Sequence, residues 1–142
     1  MTAQPLSDAD PQEPFGLSEI GQIALTVSDL DRATAFYRDV LGIRHLFSAP
    51  PGMAFFDCGG VRLLLGTEEV SDHGRHASVL YFRVPDIREG HRVLAGRGVE
   101  FVNEPHVVHR ADTYELWLAE FRDSEGNLHA LMSEVRTGGV RG

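Results

Sequence analysis

The chain of 142 residues has a single cysteine, Cys58, so no disulfide can form within it, and its composition fits a reducing cytosol. No stretch approaches the roughly 18 apolar residues of a membrane span. The first 14 residues are acidic and hold three prolines. They lack a positive start followed by an apolar run, so they do not read as a secretory signal. Basic residues are scarce: 13 Lys and Arg stand against 21 Asp and Glu, for a net charge of -8. That balance disfavours a nucleic-acid backbone or an anionic membrane as partner. Phosphate-cradling glycine loops, a nucleophile elbow and a C-x-x-C pair are all missing, and Gly59-Gly60 reads as a hairpin turn.

The chain does contain a pattern that occurs twice. Val27-Ser28-Asp29-Leu30 closes one apolar run and opens a helical one, and Val84-Pro85-Asp86-Ile87 repeats the arrangement. Each helical pattern ends at a glycine, Gly42 and Gly98, and each half closes with a turn and a strand. The expected first strand covers 22–27, with Gln22, Ala24 and Thr26 on one face and Ile23, Leu25 and Val27 on the other. Ser28 or Asp29 caps the helix that follows, whose apolar stripe is Ala33, Phe36, Tyr37, Val40 and Leu41. Strands follow at 44–47, 53–58 and 61–65, with a turn at 49–52. In the second half the expected strands are 78–84, 99–102, 107–108, 114–121 and 128–132. Asp86-Ile-Arg-Glu89 there has the form of a capping box.

The predicted fold class is α+β: two tandem β-α-β-β-β modules forming a half-open mixed barrel with the helices outside. The expected organisation is a disordered leader over 1–17, one domain over 18–136 and a flexible tail over 137–142. Within the domain, module one covers about 20–66, a polar linker 67–76, and module two about 77–135.

The segments Ala24-Leu-Thr-Val-Ser-Asp-Leu-Asp-Arg-Ala-Thr-Ala-Phe-Tyr-Arg-Asp-Val-Leu-Gly42 and Phe121-Arg-Asp-Ser-Glu-Gly-Asn-Leu128 carry a resemblance. They and the doubled unit resemble the vicinal oxygen chelate superfamily, from about residue 20 to 134. That superfamily includes glyoxalase I, methylmalonyl-CoA epimerase, extradiol dioxygenases, and fosfomycin and bleomycin resistance proteins. The resemblance implies four metal-ligand positions, two per module, pointing into the half-barrel. Here they fall on Gln22, about Leu64, about Val79 and Ala130. Only Gln22 has a donor atom, so no cofactor is expected at the usual place. His129 adjoins the last position but points to the opposite face of its strand, toward the helices with its tip at solvent.

Other groups remain as candidates. His45, His91 and His129 read as partly exposed structural histidines, and His73 and His76 as linker residues. His106 and His109 flank Val107-Val108, and their spacing on a strand places them on opposite faces. His106 is the candidate acid or base. Tyr81 and Arg83 share the cavity face with Val79. Arg83 either pairs with Glu115 or Glu120 or meets an anionic ligand. Trp117 packs or stacks on a flat ligand, and Cys58 reads as a buried, unreactive thiol. The expected ligand-binding set is therefore Gln22, Tyr81, Arg83, His106 and Trp117.

The leading reading is a cytoplasmic homodimer. It would bind or transform a small organic ligand, anionic or aromatic, between its modules. Two alternatives stay open. One is a metal-dependent lyase, isomerase or dioxygenase, its divalent ion held by Gln22, His106, Glu115 and His129. The other is a catalytically silent interaction domain.

Overall fold

The computed structural model describes residues 15–67 and 78–137. Most of the expected leader, the linker beyond Thr67 with His73 and His76, and the tail beyond Thr137 lie outside the described residues.

The first unit runs β1 (Gln22–Thr26), α1 (Leu30–Ala35), β2 (Arg44–Ala49), β3 (Met53–Cys58) and β4 (Val61–Gly66). Its sheet is ordered β1-β4-β3-β2, with β1 parallel to β4 and the other pairs antiparallel. Asp29 is the residue that caps α1, accepting the Arg32 N–H at 3.1 Å. The helix widens into a π turn over Phe36–Val40, in which the Leu41 N–H reaches the Phe36 carbonyl at 2.9 Å. Gly42 then takes φ +77, a left-handed conformation that ends the helix. The expected stripe is the buried one. Ala33 and Tyr37 are fully enclosed, while Phe36 and Leu41 touch the cores of both units.

The second unit runs β5 (Tyr81–Arg83), α2 (Ile87–Gly96), β6 (Glu100–Phe101), β7 (His106–Arg110), β8 (Tyr114–Arg122) and β9 (Leu128–Arg136). The sheet order is β5-β9-β8-β6, and β7 also pairs with β8. β5 is shorter than the expected 78–84. At its start the Leu80 N–H goes to the His129 side chain instead of a ladder carbonyl, and at its end Pro85 has no N–H to give. Asp86 caps α2 through the Arg88 and Glu89 N–H groups, but the expected capping box does not close, because Glu89 turns to Arg92.

Both helices cover one side of their sheets. The first core centres on Leu25, Val27, Tyr37, Phe56, Leu63 and Leu65. The second centres on Ile87, Val99, Ala119, Phe121 and Leu131. Leu80, at the entry to β5, packs on the first core and so joins the units. The result is a mixed α+β fold whose two sheets form a half-open barrel with the helices outside.

Candidate functional site

Residues paired across neighbouring strands point the same way, so the registers define what each open face carries. On the first sheet one row reads Gln22, Arg62, Asp57, Arg44, and the next reads Ala24, Leu64, Phe55, Phe47. Gln22 and Ala24 are exposed, while Ile23 packs on the first core and Leu25 is buried in it. Phe47 and Phe55 stack with centroids 4.7 Å apart, and the Arg62 guanidinium lies 5.8 Å from the Phe55 ring.

On the second sheet one row reads Tyr81, Ala130, Glu120, and the next reads Arg83, Met132, Leu118, His106. The third reads Glu134, Leu116, His109. His106 and His109 therefore share a face, contrary to the expectation from their spacing. Val108 is an extra residue between two paired positions, and this bulge turns His109 back to the side of His106. His106 Nδ1–H donates to the Glu104 carbonyl at 2.8 Å, which leaves Nε2 as the acceptor in the neutral ring. Glu115 is held by Arg110 and Glu120 by Asn103. Neither neutralises Arg83, which among the described residues has no carboxylate partner.

Trp117 is separated from this group. It lies on the helix side of β8, under the Arg88 guanidinium at 4.9 Å, because it is paired with Ser133 and alternates with Leu116 and Leu118. The open face thus carries Gln22, Tyr81, Arg83 and His106 of the expected set, without Trp117.

The donor chemistry does not fit a divalent ion at the four positions that the resemblance implies. Leu64, Val79 and Ala130 are hydrocarbon, and Arg62 stands directly beside Gln22, where its charge repels a cation. The alternative set is split by strand parity. Gln22 and His106 face the open side, whereas Glu115 and His129 face the helices. Among the described residues no three His, Cys, Asp or Glu side chains are grouped to hold a metal. Cys58 is half-buried, and burial together with Asp57 pushes its thiol above the usual range, which makes it a weak nucleophile.

The most structured polar group in the molecule is on the helix side. His129 is fully buried, and its tip is not at solvent as expected, because Tyr37 from the other unit closes over it. The Leu80 N–H donates to His129 Nδ1 at 3.2 Å, so the proton of the neutral ring sits on Nε2. Nε2–H donates to the Tyr37 hydroxyl at 2.9 Å, which donates to Asp123 Oδ2 at 2.6 Å. Asp123 Oδ1 takes the Glu125 and Asn127 N–H groups at 2.9 and 2.8 Å, shaping the β8–β9 turn. Glu125 in turn reaches across the units, receiving the Ser28 and Asp29 N–H groups and the Ser28 hydroxyl.

Burial alone would raise the Asp123 pKa. His129, whose Nε2 lies 3.5 Å from Oδ2, and the bonds from Tyr37, Asn127 and Glu125 outweigh it and hold the group at about 2. Burial, followed by the Asp123 charge, pushes the Tyr37 hydroxyl far upward, so it stays a donor at any working pH. A carboxylate with a lowered folded pKa contributes its stability above its unfolded value and loses it as pH falls. About 2 kcal/mol of unfolding free energy should therefore disappear between pH 4 and pH 2. Urea titrations at a series of acid pH values check this. An Asp123→Asn variant should show a visibly flatter profile than the parent.

Residues 19–131 match the model of the Glyoxalase/Bleomycin resistance protein/Dioxygenase superfamily, and the chain belongs to that superfamily. Among solved structures it is similar to a lactoylglutathione lyase from Agrobacterium tumefaciens, with 27% identity and TM-score 0.69, over 83% of this chain and 95% of that one. It shares its fold with TioX from Micromonospora sp. ML1, at 23% identity and TM-score 0.69, over 83% of this chain and 100% of the other. A superfamily member from Nocardioides has the same fold at 19% identity and TM-score 0.68, over 90% and 93% of the two chains. No curated protein matches. Among the described residues no helix is long and apolar enough to cross a membrane.

Proposed function

We infer that the open face of the half-barrel binds a small organic anion with a flat or apolar body, and does so without a metal at the usual four positions. The observation that carries this reading is the row Arg83, Met132, Leu118, His106. It sets a guanidinium with no carboxylate partner among the described residues and a histidine acceptor at the two ends of an apolar strip. Their backbones stand three strand spacings apart, about 14 Å. A span of that size accommodates one or two rings between its cationic and acceptor ends. Tyr81, the Phe47–Phe55 pair and Gln22 supply further apolar and amide surface on the open faces, the mixture that suits a small organic ligand. Arg83 favours a carboxylate, phosphate or phenolate. His106 Nε2 can take a proton from the bound compound, which is what a transformation there would require. The lactoylglutathione lyase among the similar structures puts thiol conjugates in the set of compounds to test.

The test is an NMR titration with aromatic carboxylates, thiol conjugates and acyl-CoA compounds, each beside a neutral amide analogue. The expected result is binding of the anion over the amide, with amide shifts at Tyr81, Arg83 and Leu118. If no anion binds below millimolar concentration, or the shifts fall on the helix side, the reading fails.

The same reading includes a homodimer. Among the described residues β2 ends its sheet as an unpaired edge, exposing Leu46 and Phe47. A sedimentation run at micromolar concentration should give twice the monomer mass, and a Leu46→Lys variant should sediment as monomer. A parent protein that stays monomeric would remove this part.

A further inference from the structure

We propose a second ligand site on the helix side, between the units, which takes a small apolar molecule bearing an amine. A cavity of about 400 Å3 lies there. Leu41 and Ile43 wall it from the first unit, Val93 and Leu94 from α2, and Phe82 and Leu131 form the sheet side. The space is open to solvent on one side, an apolar groove between the units whose walls are largely hydrocarbon. Water gains nothing from such walls, because they offer it no hydrogen bonds, whereas a hydrocarbon body does gain. The volume lies within the range of drug-sized pockets and exceeds what a single ring needs.

The charge at the cavity selects the ligand further. Among the described residues its ionisable lining groups are Asp86 and Glu89, both exposed and so at its solvent end. Arg92 already neutralises Glu89. Asp86 Oδ1 accepts the Arg88 and Glu89 N–H groups, which satisfies the start of α2. Asp86 Oδ2 makes no hydrogen bond among the described residues. A free carboxylate oxygen at the mouth of an apolar cavity attracts an ammonium and repels a carboxylate. The selectivity is opposite to that of the Arg83 face, so the two sites can be told apart by charge as well as by position.

The experiment uses 2-naphthylmethylamine, 2-naphthalenemethanol and 2-naphthoate, titrated by NMR into the full chain. The amine should bind about tenfold more tightly than the alcohol, a factor one charge-assisted contact supplies, and naphthoate should not enter this cavity. Amide shifts should centre on Ile43, Leu94 and Leu131. Val93→Phe fills the space and should weaken amine and alcohol at least tenfold while unfolding stays cooperative. Asp86→Asn keeps a good helix cap, so it should erase the difference between amine and alcohol and leave the alcohol unchanged. This second variant decides the matter if Val93→Phe misfolds. The proposal is overturned if the amine shifts Tyr81 and Arg83 instead, if Asp86→Asn preserves the amine's advantage, or if a folded Val93→Phe binds as before. It is also overturned if the same amides shift with protein concentration alone, which would assign the cavity to a second copy of the chain.

Discussion

Replacing Asp123 by alanine should lower the unfolding free energy by about 4 kcal/mol, the largest effect expected of any single polar residue here. The side chain is fully enclosed and accepts from four donors: the Tyr37 hydroxyl, the Glu125 and Asn127 N–H groups, and the Asn127 amide at 3.2 Å. Alanine leaves all four without their acceptor, and each buried orphan costs about 1–3 kcal/mol, with losses that overlap because the donors share one site. The β8–β9 turn loosens at the same time. Glu125 then loses its fixed position against Ser28 and Asp29, so the contact between the units weakens as well. Tyr37→Phe should cost less, about 2 kcal/mol, since it removes one donor and strands the Nε2–H of His129. In urea the midpoint should fall for both variants with the slope unchanged. A loss below about 1 kcal/mol for Asp123→Ala would mean that the network is not what secures the turn to α1.

Arg83→Ala should weaken binding of an anionic ligand at the open face about a hundredfold, with little change in stability. The guanidinium is exposed and among the described residues has no carboxylate to release, so its removal strands nothing in the free protein. In the complex it would make a charge-assisted, two-pronged contact that alanine cannot replace. Such pairs cost about 2–5 kcal/mol when one partner is removed. Arg83→Lys should recover only part of the loss, because a point charge lacks the planar fork. Calorimetry with a ligand found by the titration, against parent and both variants, reads the outcome directly. Equal affinity in parent and Arg83→Ala would move the site away from this row.

Local residues announced the secondary structure because local physics produces it. The β1 alternation, the Asp29 and Asp86 caps, the Gly42 stop and the β3–β4 hairpin at Gly59-Gly60 all depend on neighbours within a few positions. The alternation also assigned Gln22, Tyr81 and Arg83 to the open faces. It failed where a single inserted residue changes parity. The bulge at Val108 leaves no mark in composition, yet it reverses the face of His109. Trp117 was misplaced because β8 carries apolar residues on both of its faces, so its alternation does not say which face is the open one.

The Tyr37–Asp123–His129 network was beyond any local reading. Tyr37 and Asp123 are 86 positions apart, and Tyr37 and His129 are 92 apart. In the sequence Tyr37 is one more apolar-stripe residue, Asp123 a turn residue and His129 an ordinary strand histidine. The sequence by itself determined the helices, most of the strands, and that Leu64, Val79 and Ala130, at the positions the family resemblance implies, carry no donor atom. Only the tertiary structure decided that Arg83 and His106 end one row, that Asp123 is held ionised in the interior, and that an apolar cavity opens beside α2. Each of these depends on groups from distant parts of the chain meeting in one place, and the free energy of that meeting belongs to the pair rather than to either residue alone.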